Sequence, residues 1–277
     1  MFDKSDLNML RIQRDVVVLE SFAVTDIAAL LKNTFPSIVE DFKSFIGRFN
    51  PNVPGVSFTS KQKELIAEVS KHKYLDLAPL TAFVPEGLDV DLLKYSEVLL
   101  AATEHASKVL SGSLTDYSVF LSQLISNVDQ KFSTNSFEHV YKLLDNTRNS
   151  LNTRLGQCFK NGSSRTEVSY GDIVKRNNDW QYIFHNTDAI SKLINSVDRK
   201  ALNSKVEECA KLVSIIIDKI KRNEFENMSP QVIRNLADGA YAAASELEFY
   251  SAIYYKVLAF TTSVDRNTKD FHKRFDN

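Results

Sequence analysis

The sequence predicts an all-α protein: an elongated helical bundle with a long antiparallel hairpin at its C-terminal end and a few short extended segments. Three observations favour this class. The 277 residues include only eight Gly and six Pro, so few residues interrupt helices. Apolar residues recur at steps of three and four, which is the spacing of one helix face. Hydrophobic residues make up 43% and charged residues 25% of the chain, the balance of a folded protein.

The clearest apolar stripe lies in the last third of the chain. It predicts one helix from about Pro230 to Lys269, with Ser229 as its N-cap and Pro230 in its first turn. The alternating steps of four and three are typical of a helix packed along its whole length. The stripe consists of Leu236, Ala240, Ala243, Leu247, Tyr250, Tyr254, Val257, Thr261 and Val264.

Two shorter stripes precede this helix. The stripe over 202–220 predicts a helix that folds back antiparallel to the last one, because the break at 223–229 is short. The stripe over 180–197 predicts a third helix, with Asn178 or Asp179 as N-cap and an end near Asp198. The three helices together predict a C-terminal bundle.

The middle of the chain predicts three more helices. One runs over 137–158 after Ser136 as N-cap and ends in a left-handed cap at Asn161–Gly162. The other two cover 92–110 and 114–128, and Ser111–Ser113 is the predicted turn between them.

The first 90 residues give a more broken pattern. A helix over 25–46 is predicted to kink at Pro36, because proline removes a backbone donor. The residues from Phe49 to Ser60 are predicted to be extended or turning, and Ser60 to begin a short helix that ends near Lys71. The segment from Tyr74 to Gly87, which contains two prolines, is predicted to be an ordered loop.

The polar, glycine-bearing segment 161–178 is the best candidate for a domain boundary. The predicted division is an N-terminal helical region over 1–160, a polar loop or linker over 161–178, and a three-helix bundle over 179–277. One continuous domain is the alternative. The loop is longer than most helix connections, so it is either a binding element or a flexible exposed connection.

No catalytic, cofactor-binding or metal-binding residue can be assigned from the sequence, and we expect no enzyme activity and no cofactor. Phosphate-binding glycine loops and the nucleophile elbow of α/β-hydrolases are absent from the sequence. The histidines form none of the ligand spacings used for zinc or di-iron sites. They are His72, His105, His139, His185 and His272.

Three further expectations concern buried or charged side chains. Cys158 and Cys209 lie on apolar stripes and are predicted to be small buried residues, with no disulfide between them. Glu246 and Glu248 lie beside the packing stripe of the last helix and are predicted to be solvated, and a buried carboxylate is the alternative. Phe249 and Phe260 lie outside that stripe, so a second packing surface is predicted, which faces either the same chain or a partner subunit.

Charge and hydropathy exclude several partners. Lys and Arg number 34 against 35 Asp and Glu, so no net field favours nucleic acid or an anionic membrane. We expect no signal peptide, since no basic segment precedes an apolar run near the N-terminus. We expect no transmembrane segment, since the longest apolar run, around Leu212–Ile217, is far shorter than the roughly 18 residues that a bilayer requires.

Three short stretches resemble segments of virion structural proteins of large tailed bacteriophages: Tyr74–Leu88 (YLDLAPLTAFVPEGL), Tyr170–Trp180 (YGDIVKRNNDW) and Glu246–Tyr250 (ELEFY). The resemblance implies a non-enzymatic structural or assembly protein of a phage particle, which is assembled in the host cytoplasm. It implies other virion proteins, and copies of the same chain, as partners. The alternative is a membrane-binding or pore-forming helical protein, which the amphipathic helices and the surplus of C-terminal aromatic residues suggest.

Overall fold

A computed structural model describes residues 59–71, 81–126, 137–176, 178–222, 224 and 230–275. The helix predicted over 25–46 and most of the extended segment predicted after Phe49 lie outside these residues. The predicted caps Ser136 and Ser229 also lie outside them.

The described residues are mainly helical, which confirms the predicted fold class. They form, in chain order, α1 (Ser60–Lys71), β1 (Thr81–Phe83), α2 (Leu92–Ser126), α3 (Phe137–Gly156), β2 (Glu167–Ser169), α4 (Tyr170–Ile173), α5 (Asp179–Ser196), α6 (Arg199–Lys221) and α7 (Pro230–Phe275).

Helices α5, α6 and α7 occur where the apolar stripes predict them, and α1 spans the short helix predicted from Ser60 to near Lys71. Helix α7 is 46 residues long and extends six residues beyond the predicted end at Lys269. Asp198 begins α6, because its Oδ1 accepts hydrogen bonds from the backbone N–H groups of Lys200 and Ala201, each at 3.0 Å. The antiparallel packing of α6 on α7 stays a prediction.

The turn predicted at Ser111–Ser113 is wrong, because α2 is one helix of 35 residues that runs through it. Leu110 and Leu114, four residues apart on one helix face, are 1% and 0% exposed. Burial of both side chains favours a continuous helix over a break at Gly112. Glycine in a helix costs roughly 1 kcal/mol of stability relative to alanine. Burial of the two leucine side chains stabilises the helix by more than this cost.

The left-handed helix cap predicted at Asn161–Gly162 is also wrong. Helix α3 ends at Gly156, and the next residues turn away through hydrogen bonds from Cys158 N to Leu155 O and from Phe159 N to Gly156 O, each at 3.1 Å. Gly162 does have a positive φ of 77°, but it lies in a separate turn six residues beyond the helix.

A two-stranded antiparallel sheet lies in segments for which the sequence predicts loops. Strand β1 pairs with β2 in the register Thr81 with Ser169, Ala82 with Val168, and Phe83 with Glu167. The segment 161–178 therefore contains a strand and the four-residue helix α4.

The chain forms two compact units, and each is built from separate stretches of sequence. The described part of the first unit comprises 108–126, 137–146, 198–222, 224 and 230–249. Here the Cys209 thiol lies 3.6 Å from the Leu114 carbonyl oxygen. Its buried core includes Leu110, Leu114, Tyr117, Leu121, Leu124, Leu202, Val206, Cys209, Val213, Ile216, Ala243 and Leu247.

The described part of the second unit comprises 59–71, 81–107, 147–176, 178–197 and 250–275. Asn186 Nδ2 of α5 donates a hydrogen bond to Ser96 Oγ of α2 at 2.9 Å, and Lys63 of α1 lies 3.6 Å from the Asp188 carboxylate of α5. Its buried core includes Ala82, Val84, Leu92, Tyr95, Leu99, Leu155, Cys158, Trp180, Ile183, Ile190, Ile194, Tyr250, Ile253, Val257, Phe260 and Val264.

Both sides of the boundary predicted at 161–178 lie in the second unit, because residues 147–176 and 178–197 are grouped there. Which parts of the chain fold independently stays a prediction.

Candidate functional site

The most distinctive surface of the second unit is the connection between α3 and α5. We call residues 157–176 the contact segment, because they include most of the polar loop for which the sequence predicts either a binding element or a flexible exposed connection. Between Lys160 and Arg176 most of its side chains are exposed, yet its backbone is held by a regular set of hydrogen bonds.

Backbone groups of the contact segment form hydrogen bonds with residues 84–89. Val84 N donates to Thr166 O at 2.9 Å, and Gly87 N donates to Arg165 O at 3.0 Å. In the return direction, Lys160 N donates to Gly87 O at 2.9 Å. These bonds extend the pairing of β1 and β2, so the backbone of the segment has a defined position beside the sheet. Whether the segment is a binding element or a flexible connection stays a prediction.

Gly87 is required where the two strands approach. Its φ is 75°, a left-handed conformation that other residues rarely adopt. A Cβ atom at this position would lie 2.8 Å from the Ser163 carbonyl oxygen. Any larger side chain would therefore push the contact segment away from residues 84–89.

Asn267 of α7 closes the other side of β1. Its Oδ1 accepts a hydrogen bond from Phe83 N at 2.7 Å, and its Nδ2 donates one to Phe83 O at 2.8 Å. Asn267 is 2% exposed, so both bonds lie in a largely water-free position. We call this pair of bonds the Asn267 clamp. The guanidinium of Arg266 covers the Phe83 ring, with Cζ 4.1 Å from the ring centroid.

An aromatic cluster includes Phe159, which lies near the start of the contact segment. The Tyr95 ring meets the rings of Phe159 and Phe260 edge to face, at centroid distances of 5.3 and 5.5 Å. Lys256 Nζ lies 4.7 Å from the centroid of Phe159. The Tyr95 hydroxyl is buried and has no hydrogen-bond partner among the described residues.

The end of the contact segment is anchored by Trp180, which is fully buried at the start of α5. Its indole Nε1–H donates a hydrogen bond to the Tyr170 hydroxyl. The two rings are 6.0 Å apart. Trp180 is the only tryptophan in the sequence, so its fluorescence reports on this anchor.

The exposed charges of the contact segment have both signs. Adjoining Glu86 and Asp89 are also exposed, and Lys175 Nζ lies 3.8 Å from the Asp91 carboxylate. Such a mixture favours a protein partner over nucleic acid, which requires a continuous basic surface. The exposed charged residues of the segment are Lys160, Arg165, Glu167, Asp172, Lys175 and Arg176.

Cys158 is buried at the start of the contact segment, as its stripe predicts. Burial raises the pKa of its thiol, and the nearby cations Lys94, Arg154 and Lys256 offset part of that rise. Burial also lowers the pKa of the Lys256 ammonium group. A thiol with a raised pKa is mostly protonated at neutral pH, whereas nucleophilic attack requires the thiolate.

The remaining predicted side chains have different outcomes. Cys209 is buried as predicted, and both cysteines are free. The prediction that Glu246 is solvated is wrong, because it is 0% exposed, whereas Glu248 is exposed as predicted. The neighbours of Glu246 at 245, 247, 249 and 250 are buried as well, so this part of α7 is enclosed on most sides and not along one stripe.

Four of the histidines lie on described helices, each on a different one: His105 on α2, His139 on α3, His185 on α5 and His272 on α7. In the described part of the chain, no three side chains of His, Cys, Asp or Glu lie close enough together to hold a metal ion. No helix within that part is long and apolar enough to cross a lipid bilayer.

Sequence reasoning missed three of the residues that build this surface: Gly87, Asn267 and Lys256. The dipeptide Glu86–Gly87 after a proline was a turn signal. Asn267 carries no signal of its own, since polar residues at this spacing are usually on the exposed face of a helix.

The fold and this surface define a mainly helical protein with an ordered polar contact segment held on a small sheet. No family model matches the chain, and no curated protein or solved structure matches it either.

Proposed function

We propose that this protein is a non-enzymatic structural or assembly component of a tailed-phage particle. It acts through contacts with other virion proteins and with copies of itself, and it enters the particle in the host cytoplasm. The resemblance of Tyr74–Leu88 and Tyr170–Trp180 to phage virion proteins supports the proposal that the particle is that of a tailed phage. Both stretches include residues that build the contact segment or its support.

The observation that carries the proposal is the exposed contact segment with its fixed backbone. Binding through such a segment costs little backbone conformational entropy, because its backbone is already ordered. Charges of both signs at the rim of an interface favour a complementary protein surface and fix its orientation. Long helices packed around an apolar core are suited to a particle subunit that connects neighbouring proteins.

Charge reversal on the contact segment tests the proposal. Arg165 and Arg176 are exposed, and both residues form hydrogen bonds through their backbone N–H and C=O groups. The double variant Arg165→Glu, Arg176→Glu should therefore fold normally. Size-exclusion chromatography with light scattering, of the chain alone and mixed with purified proteins of the particle, measures the contacts.

The wild-type chain is expected to form a defined oligomer or a defined complex with a particle protein, and the double variant to lose it. Lys211→Glu is the matched control, since Lys211 is exposed on α6 in the first unit. Unchanged Trp180 fluorescence confirms that the variants are folded. A wild-type chain that stays monomeric and binds no particle protein contradicts the proposed function. A double variant that behaves like the wild type contradicts the role of the contact segment.

The membrane-binding alternative is suggested by the aromatic residues of the last helix. Of those whose exposure the structure describes, most are buried within the chain: Phe249 is 3%, Tyr250 0%, Tyr254 7% and Phe260 0% exposed. Tyr255 is the exception at 60%. The second packing surface predicted for this helix therefore faces the chain itself, and we do not propose membrane binding.

A further inference from the structure

The sharpest turn of the contact segment has the chemistry of a spontaneous modification site. Ser163 N donates a hydrogen bond to Lys160 O at 3.2 Å, so residues 160–163 form a β-turn with Asn161 and Gly162 at its centre. Asn161–Gly162 is the only Asn-Gly dipeptide in the sequence.

We propose that Asn161 is a deamidation site that converts to aspartate and isoaspartate in the native protein. The backbone nitrogen of Gly162 loses its proton to hydroxide and attacks the Asn161 side-chain carbon Cγ. A C–N bond forms, and the side-chain nitrogen leaves as ammonia. The resulting five-membered succinimide is opened by water at either carbonyl, which produces aspartate or isoaspartate.

Three features of this turn expose the reacting groups. Asn161 and Gly162 are both exposed, so water and hydroxide reach them. In the described part of the chain, neither the Asn161 side chain nor the Gly162 N–H takes part in a hydrogen bond that would hold it away from the reaction. Gly162 has no Cβ to obstruct the attack, and a Cβ atom placed there would meet no non-neighbouring atom within 4 Å, so this side of the turn is open.

Asn152 provides a comparison within the same molecule. It is also exposed, but it lies inside α3, where a helical N–H group is engaged with the carbonyl four residues earlier. The residue after it is Thr153, whose branched Cβ crowds the nitrogen that would have to attack. Asn152 should therefore keep its amide while Asn161 loses it.

The modification would alter the contact segment in two ways. Either product places a negative charge beside Lys160, where the native side chain is neutral. The isoaspartate linkage also lengthens the main chain by a methylene group, at a turn whose Ser163 carbonyl lies against Gly87. The inference does not depend on the proposed function, because it requires only water and the exposed turn.

Peptide mapping by mass spectrometry after incubation of the native chain at pH 6 and at pH 8 tests the proposal. Conversion at residue 161 is expected to rise with pH, and conversion at Asn152 to stay undetected. Gly162→Ala should convert about tenfold more slowly, which corresponds to about 1.4 kcal/mol in barrier height. Trp180 fluorescence reports whether each variant is folded.

Because Gly162 has a positive φ, alanine there adds strain, so a second variant keeps the test decisive. Asn161→Gln should abolish conversion at this position, and Asn152→Gln should leave conversion at Asn161 unchanged. If Asn161 keeps its amide in the native chain, or converts no faster than Asn152, the proposal is wrong. Conversion only in the urea-unfolded chain would show that the folded turn protects Asn161, which also overturns it.

Discussion

Removal of the Asn267 clamp should lower the unfolding free energy of the second unit, and the hydrogen bonds that are lost give the magnitude. In Asn267→Ala, the Phe83 N–H and C=O groups lose their partners at 2.7 and 2.8 Å. A buried hydrogen bond contributes about 1 kcal/mol net, and a buried group left unpaired costs about 1–3 kcal/mol. Phe83 is partly exposed, so water satisfies some of the loss, and we expect about 2 kcal/mol for the pair.

Urea unfolding followed by Trp180 fluorescence measures this effect, because Trp180, Phe83 and Asn267 lie in the same unit. The variant should unfold at a lower midpoint with an unchanged slope. Thr262→Ala is the matched control, since Thr262 is exposed on the same helix, and it should change the unfolding free energy by no more than about 0.5 kcal/mol.

Asn267→Asp separates the clamp from simple loss of volume. The ionised carboxylate of this variant still accepts a hydrogen bond from Phe83 N–H. Its second oxygen faces the Phe83 carbonyl oxygen, and these two acceptors repel each other because no hydrogen atom lies between them. The protonated acid donates to that oxygen, so this variant should recover stability relative to the wild type when the pH falls. An Asn267→Ala midpoint equal to that of Thr262→Ala would refute the reasoning, as would an Asn267→Asp variant with no such pH dependence.

Three further predictions concern stability. Gly112→Ala should raise the unfolding free energy by about 0.5–1 kcal/mol in urea titrations, because Gly112 is helical and its Cβ would meet nothing within 4 Å; destabilisation would argue for a break in α2. Tyr95→Phe should be neutral or stabilise by about 1 kcal/mol in the same assay, because it removes an unpaired buried hydroxyl and keeps both ring contacts; a large loss would reveal a partner for that hydroxyl. Burial raises the pKa of Tyr117 and Tyr170 and raises that of Cys209 to about 12. The unfolded chain therefore releases these protons first, so stability is present below the unfolded pKa values of about 8.5 for Cys and 10 for Tyr and is lost as the pH rises above them. Urea midpoints from pH 8 to 11 and phenolate absorbance measure this loss, and complete tyrosine ionisation near pH 10 in the native chain would contradict it.

The long helices could be predicted because their signal is repeated many times along the sequence. In α7 the stripe from Ala243 to Val264 is buried as expected, since each apolar side chain adds to the same face. Burial of Glu246 could not be predicted, because a stripe shows which face packs but not how much of the helix circumference is covered. Gly112 misled the prediction because glycine signals a turn and a tolerated helix position alike.

The contact segment could be located from the sequence, but its structure could not. Strands β1 and β2 have three residues each, which is too short for a periodicity of two to be visible. The bonds between Asn267 and Phe83 join residues 184 positions apart, and no local pattern encodes such a pairing. The Asn267 clamp and the close approach of the contact segment to Gly87 depend on tertiary structure alone.

The most direct test of the account is quantitative mass spectrometry of particles purified from the culture that produces this chain. A structural component should be present at a constant copy number per particle and should remain after salt washes that strip loosely bound proteins. A chain that is abundant in the lysate but absent from the purified particles would contradict the proposal that it is part of the virion.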